Sequence, residues 1–333
     1  MPASLGLFTS RRNGPFTSPE YAAVDIHKKV RMVVVPSMAG DVEDATGAPV
    51  ELEGRRFGTA ARERNHLVSW LQQRRVHEVV LESTAPYWKP VWLDLEPHLE
   101  KLHWAQAQSN RAPQGRKNDF RDAQRWGRRW LAGELMLSFV PEPEQRTWRW
   151  MTRGRLPLVR ERVRLPNQVE ALLEEARIKL SSVISDLLGV SGRRILEALS
   201  QGETDAVKLA ELGDDRLRCT PEQLADALRG SPEPSHRALL KLHRERLKLL
   251  DQQIDQLSQR SATALKQHQD AVVRLAEVPG FGIESAQQRI AEVGVDAEAF
   301  PSAGELASWC GACPGSAVSA EENYSSRCPK GNR

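Results

Sequence analysis

Two short apolar runs that each end on an acid, followed by an acid pair at a helix start, constrain this chain more than any other feature. Asp25 sits in the run from Tyr21 to Lys28, and Glu82 closes the run from Glu78 to Leu81. Asp119 and Asp122 follow Lys117 and lie three apart, which puts them on one helical face, one turn apart. A single acid at a strand end is ordinarily a solvated turn residue. Acids from two strand ends and one helix start can converge, and carboxylates gathered at one point repel each other unless a cation joins them. Hard oxygen donors favour magnesium or manganese. Two such ions about 3.5–4 Å apart clamp the attacking and leaving oxygens of a phosphodiester. The pattern therefore points to phosphoryl transfer on nucleic acid.

The stretch around these acids reads as an α/β layer. Tyr21 to Ile26 and Val30 to Val35 predict two strands joined by a short polar turn, and a third strand is expected near Pro49 to Leu52. A helix over 59–75, a buried strand over 76–81, a helix opening at Pro86, a strand over 101–107 and a helix from Asn118 or Asp119 to about Ala132 follow. Strands alternating with helices, after a hairpin, argue for a sheet of mixed pairing, as in ribonuclease-H-like domains. A dinucleotide-binding fold is the obvious rival, but no G-x-G-x-x-G follows the first strand, and no P-loop signature occurs.

A chain of 333 residues, 40% hydrophobic and 27% charged, fits two or three globular domains. No apolar stretch is long enough to span a membrane, and residues 1–19 carry no signal-like apolar core, so the expectation is a cytoplasmic protein with a disordered N-terminus. Net charge is only +3, yet arginines dominate from Arg111 to Arg164 and are interleaved with Trp126, Trp130, Trp148 and Trp150. Arginine beside aromatics suits phosphate contact and base stacking. Arg116, Lys117, Arg121 and Arg125 adjoin the acid pair and are candidate nucleic-acid contacts.

Past Pro141 and Pro143 the chain reads as helical. Val169, Leu172, Leu173, Ala176, Leu180, Val183 and Leu187 trace one apolar stripe. Leu240, His243, Leu247, Leu250, Ile254, Leu257, Ser261 and Ala264 trace another with a heptad rhythm, so two long coiled-coil helices are expected to pair with each other or with a second subunit. The broken stretch from Gly189 to Ser235 predicts a small helical cap. Gly280 and Gly282 lie in a G-h-G-x-x-x-A segment that fits a helix–hairpin–helix turn, whose second helix offers backbone N–H groups to a phosphate. Cys310, Cys313 and Cys328 give three thiols and no histidine, one ligand short of a structural zinc. Ser316, Ser319, Ser325 and Ser326 are candidate nucleophiles beside Arg327, Lys330 and Arg333, and spacing alone does not choose among them.

Taken in order, the segments Val24 to Lys28, Leu81 to Thr84, Lys117 to Ala123, Pro279 to Gly282 and Lys330 to Arg333 resemble the DEDD transposases of insertion sequences. The resemblance spans nearly the whole chain from Tyr21. It implies a RuvC-like (ribonuclease H fold) domain over 20–140, a helical coiled-coil region over 141–275 and a small helical serine-bearing domain over 276–333. It further implies magnesium held by Asp25, Glu82, Asp119 and Asp122. Ser319, five residues after Pro314, becomes the implied nucleophile that links covalently to DNA, with Ser316 the alternative. DNA ends and target, an element-encoded guide RNA and a homodimer or homotetramer are the implied partners. The sequence departs from the family in Ala320 after the serine and in Pro157 and Pro166, which predict a late start or a kink in the first long helix. Relatives extend beyond the equivalent of Arg333, which predicts a shortened C-terminal domain.

The rival readings are a RuvC-like nuclease using the acids and water without a covalent link, an inactive DNA- or RNA-binding transposase remnant, and a helical scaffold that leaves the acids unexplained.

Overall fold

The computed structural model describes residues 21–37, 51–82, 86–106, 119–313, 317–319 and 322–325. The expectations for the N-terminal 19 residues, for the loop over 41–49, and for Arg116, Lys117, Ser316, Cys328, Arg327 and Lys330 lie outside them, as do the side chains of Asp119 and Ser319. The chain divides into two compact units, one formed by Met1–Pro141 with Glu298–Arg333 and the other by Glu142–Ala297.

The first unit is built on a six-stranded sheet with the order β3-β2-β1-β4-β5-β6. Its strands are β1 (Tyr21–Ile26), β2 (Arg31–Ser37), β3 (Glu51–Phe57), β4 (Glu78–Glu82), β5 (Lys101–Ala105) and β6 (Leu137–Ser138). β1, β2 and β3 pair antiparallel, β1–β4 and β4–β5 pair parallel, and β6 closes the edge antiparallel. This is a mixed sheet of the ribonuclease-H-like kind that the strand–helix alternation predicts.

Strand alternation sorts the side chains onto two faces. Ala22, Val24, Val33, Val35, Val79 and Leu81 pack under α1 (Ala61–Gln73) and α2 (Trp88–Leu95). Tyr21, Ala23, Val34, Leu52 and Val80 face α3 (Asp119–Leu131), which covers them with Ala123, Trp126 and Trp130. Positions 25 and 82 share the parity of this second set. The central strands are apolar on both faces, as strands covered on both sides must be.

β3 is longer than the expected stub and carries Glu53, Arg55 and Arg56. It is the sheet's edge, where charge discourages pairing with another chain. Gly54 is required there: a Cβ would overlap Cε2 at the edge of the Phe120 ring. The ring at the start of α3 thus meets β3 at Gly54 with its edge.

The second unit is helical. Its longest elements are α4 (Pro143–Glu175) and α9 (Pro234–Ala264), which pack along each other. Between them come α5 (Leu180–Val183), α6 (Val190–Gln201), α7 (Ala206–Ala210) and α8 (Pro221–Ala227); α10 (Gln269–Ala276) and α11 (Ile283–Val293) follow. Leu240, Leu247, Leu250, Ile254 and Ser261 of the heptad stripe are buried, so this face is the helix's seam. Asp251 ties three helices together. Burial works to raise its pKa, but hydrogen bonds from Arg162 of α4 (2.5 Å) and Arg193 of α6 (3.0 Å) hold it below the usual aspartate value.

Two expectations about the long helices fail. The stripe from Val169 to Leu187 is not one helix: α4 ends at Glu175, and Arg177 takes a left-handed conformation (φ 62°) that turns the chain into the short α5. The stripe's leucines are nevertheless buried in one core. Nor does the helix begin after the prolines, since α4 opens at Pro143 and contains both Pro157 and Pro166. Pro157 is exposed and Pro166 half-buried, so water can reach carbonyls that lose a helical donor, and the seam with α9 repays the rest.

Downstream, α12 (Ala303–Trp309) precedes a hairpin of β7 (Ala317–Ser319) and β8 (Glu322–Ser325). Ser319 therefore ends a strand rather than lying on a helix. Among the described residues no helix is long and apolar enough to cross a membrane.

Candidate active site

Asp25 and Glu82 are direct partners in the parallel β1–β4 ladder. Equal parity puts both on the face covered by α3, and they are 3% and 8% exposed. Water is thus largely withdrawn from two neighbouring carboxylates. Burial raises the Glu82 pKa, the charge of Asp25 and a hydrogen bond with it raise it further, and the result is about 7. Arg125 on α3 pulls the value down and Asp122 pushes it up, so both reach Glu82 electrostatically. With its pKa near 7, Glu82 is about half protonated at neutral pH, and in that form it donates a hydrogen bond to Asp25.

His27 was not singled out from the sequence, although it stands in the same short segment as Asp25. Its Nε2 lies 3.2 Å from Asp25 Oδ2, and in the Nε2–H tautomer it donates a hydrogen bond that fixes the carboxylate. The turn after β1 brings it there. A polar residue two positions past a strand-end acid was the available signal.

α3 begins at Asp119 and carries Asp122 half-buried one turn later. Arg121 is exposed, and Arg125 stacks over Trp126 with its guanidinium carbon 4.5 Å from the ring centroid. Among the described residues no three acidic, histidine or cysteine side chains gather closely enough to hold an ion. The donor chemistry still fits a hard divalent cation. A buried pair that keeps a proton near neutrality carries more negative charge than its surroundings balance, and a cation would displace that proton.

The arginine–tryptophan run divides in the structure. Trp126, Trp130 and Trp148 are buried core residues, and Trp150 alone of the four is exposed. Several arginines serve α4's own packing. Arg149 donates to the carbonyls of Ala291 (3.1 Å) and Glu292 (2.6 Å) at the end of α11, and Arg153 makes a bidentate pair with the Glu292 carboxylate. Arg155 reaches Ser258 and Glu284. These side chains are structural, which corrects the reading of the whole run as a nucleic-acid surface.

Gly280 and Gly282 lie between α10 and α11, which pack together over Val272, Ala286 and Ile290. Gly280 needs its glycine, with φ at 88°, and Gly282 is the N-cap of α11 without a side-chain cap. A Cβ at either position would meet nothing within 4 Å, so the turn is open to a ligand backbone.

Two family models match the chain. One, for a DEDD transposase of the IS110 kind, covers residues 22–178, and the other, for transposases of the IS116/IS110/IS902 family, covers residues 272–333. The chain belongs to the IS110 family of transposases. A comparison with curated proteins finds no match. As a transposase it is a DNA-recombining enzyme, and DNA is its substrate. The first match contains all of the sheet but Tyr21, its acids and the whole of α4; the second contains the glycine turn and the Ser319 hairpin.

Proposed function

We propose that this transposase cuts and rejoins DNA at a carboxylate site of Asp25, Glu82, Asp119 and Asp122, with Ser319 as the nucleophile. The observation that carries the reading is the buried, register-paired Asp25 and Glu82, whose proximity helps raise the Glu82 pKa to about 7. A protein has little reason to keep such a pair for stability, since two apolar residues would cost less. A magnesium or manganese ion held by these carboxylates would supply charge neutralisation at the scissile phosphate.

The chain's own groups do the rest. His27 steadies Asp25, and Arg125 offsets part of the negative field at Glu82. The Ser319 oxygen forms a bond to phosphorus, its proton departs, and one sugar oxygen leaves phosphorus and takes up a proton. The serine phosphodiester conserves the bond that was broken. Rejoining by a second sugar hydroxyl therefore needs no outside energy source. The compact unit that contains the sheet also contains the Ser319 hairpin, which supports joint action of acids and serine. Arg116, Lys117, Arg121, Arg327 and Lys330, with the turn at Gly280 and Gly282, are proposed to hold DNA or RNA backbone. The family resemblance supports guidance by an element-encoded RNA and assembly as a dimer or tetramer.

The test is to trap a protein–DNA adduct on element-end DNA with magnesium. Wild type and Ser316→Ala should form it, and Ser319→Ala and Asp25→Asn should not. An adduct that persists in Ser319→Ala refutes the assigned nucleophile. Cleavage without any adduct favours a water-using nuclease.

A further inference from the structure

The outer face of α4 carries Arg146, Trp150, Arg153, Pro157, Arg160 and Arg164, spaced alternately four and three apart. That spacing is one helical stripe facing away from the α9 seam, about 27 Å long at 1.5 Å per residue. Trp150 is 74% exposed, the highest value among the exposed large apolar side chains of the described residues. Arg153, Pro157, Arg160 and Arg164 are exposed as well. No acid lies in the stripe. Beside it, Glu161 is engaged by Arg246, and Glu292 by Arg153.

An exposed indole loses free energy to water unless something covers it. Here the ground next to the ring is clear, because a Cβ at Gly154, one turn on, would meet nothing within 4 Å. A flat ring on open ground, in line with the exposed Arg160 and Arg164, is complementary to an unpaired base with its phosphates. Stacking suits any base, and arginines along the same line track the backbone. A duplex offers no base face to such a ring.

We propose that this stripe binds an unpaired nucleic-acid strand, with one base stacked on Trp150 and the adjoining phosphates on Arg160 and Arg164. The proposal deepens the reading of the protein as a nucleic-acid recombinase and adds a contact that lies wholly within the helical unit. The strand is DNA opened during recombination, since DNA is what a transposase acts on.

The test uses the full chain in EDTA, with fluorescence anisotropy on labelled single-stranded DNA, single-stranded RNA and duplex DNA of about 12 nucleotides, within the span of known single-strand sites. Trp150→Ala should weaken binding of single-stranded DNA by about 5- to 100-fold, Trp150→Tyr should keep most of the wild-type affinity, and duplex binding should not change. A loss confined to single-stranded RNA overturns the assignment to DNA. Arg160→Gln with Arg164→Gln should lower the salt slope, log Kd against log salt, by about 1.4. Circular dichroism and the unfolding midpoint of each variant should match wild type, since these side chains are exposed. Unchanged single-strand affinity in Trp150→Ala overturns the proposal. So does a fall in sedimentation mass without loss of binding, which would make the stripe an interface between copies. Binding in EDTA needs neither metal nor strand cleavage, so failure of this site and failure of the carboxylate site are read separately.

Discussion

Replacing Glu82 with glutamine tests the shared proton directly. Glutamine keeps the shape of the protonated acid and can still donate to Asp25, but it cannot ionise. Raising a carboxyl from its ordinary value of 4.5 to about 7 disfavours the charged form by about 3 kcal/mol in the folded state. The sign follows from proton counting. Between pH 4.5 and 7 the folded protein binds more protons at Glu82 than the unfolded chain does. Wild-type stability from this group is therefore present at low pH and is lost as pH rises through about 7. Without divalent metal, Glu82→Gln should exceed wild type by about 1 kcal/mol at pH 5 and about 3 kcal/mol at pH 8. Urea unfolding followed by tryptophan emission reads this well, because seven of the nine tryptophans belong to the unit that carries the acids. Added magnesium should stabilise wild type at pH 8 and do less for the variant. A variant less stable than wild type at pH 8, or a gap that does not widen with pH, would refute the account of a strained carboxylate pair.

Two glycines against the α3 face should behave oppositely. Gly54→Ala drives a methyl into the edge of the Phe120 ring, so the start of α3 must shift; we expect a loss of about 1–3 kcal/mol in thermal unfolding and reduced strand cleavage. Gly127→Ala meets Leu52, Tyr21 and Val34 at an ordinary 3.6 Å and should gain up to about 1 kcal/mol from helix propensity, without loss of cleavage. Arg149→Leu removes the donors that cap the end of α11, and about 1.5–3 kcal/mol of local stability should go with them. Hydrogen exchange should quicken in α11 and stay unchanged in β1 and β4.

The central sheet was legible because its evidence is local. β1 and β4 are apolar runs closed by acids, and parity alone aligns Asp25 with Ala23 and Glu82 with Val80. The ladder register that makes the two acids partners could not be read, since it depends on how α1 spans the gap between strands. β6 has two residues and leaves no periodic trace. The limits of α4 were misjudged for an energetic reason. Proline's local cost is plain in the sequence, whereas the packing against α9 that offsets it comes from residues about 80 to 100 positions away. The broken stripe after Glu175 shows the converse, for burial in a common core preserved its apolar spacing after the helix had stopped.

The arginines of α4 show why a count of basic residues misplaces a nucleic-acid surface. Arg149, Arg153, Arg155 and Arg162 stand in the same run as Arg160 and Arg164, and sequence cannot separate them. The separation comes from acids and carbonyls far along the chain: Asp251 on α9, and Glu284, Ala291 and Glu292 on α11. A guanidinium that caps a helix end or holds a buried-side acid has spent its donors and most of its field. Arg160 and Arg164 on the outer stripe face water and salt, where release of counterions rewards contact with phosphate. Position on the helix, and not charge density along the chain, therefore decides which of these arginines can meet a strand. Trp150 follows the same rule: Trp148, two residues earlier and on the opposite side, fills the core under α11, while Trp150 is left for a partner.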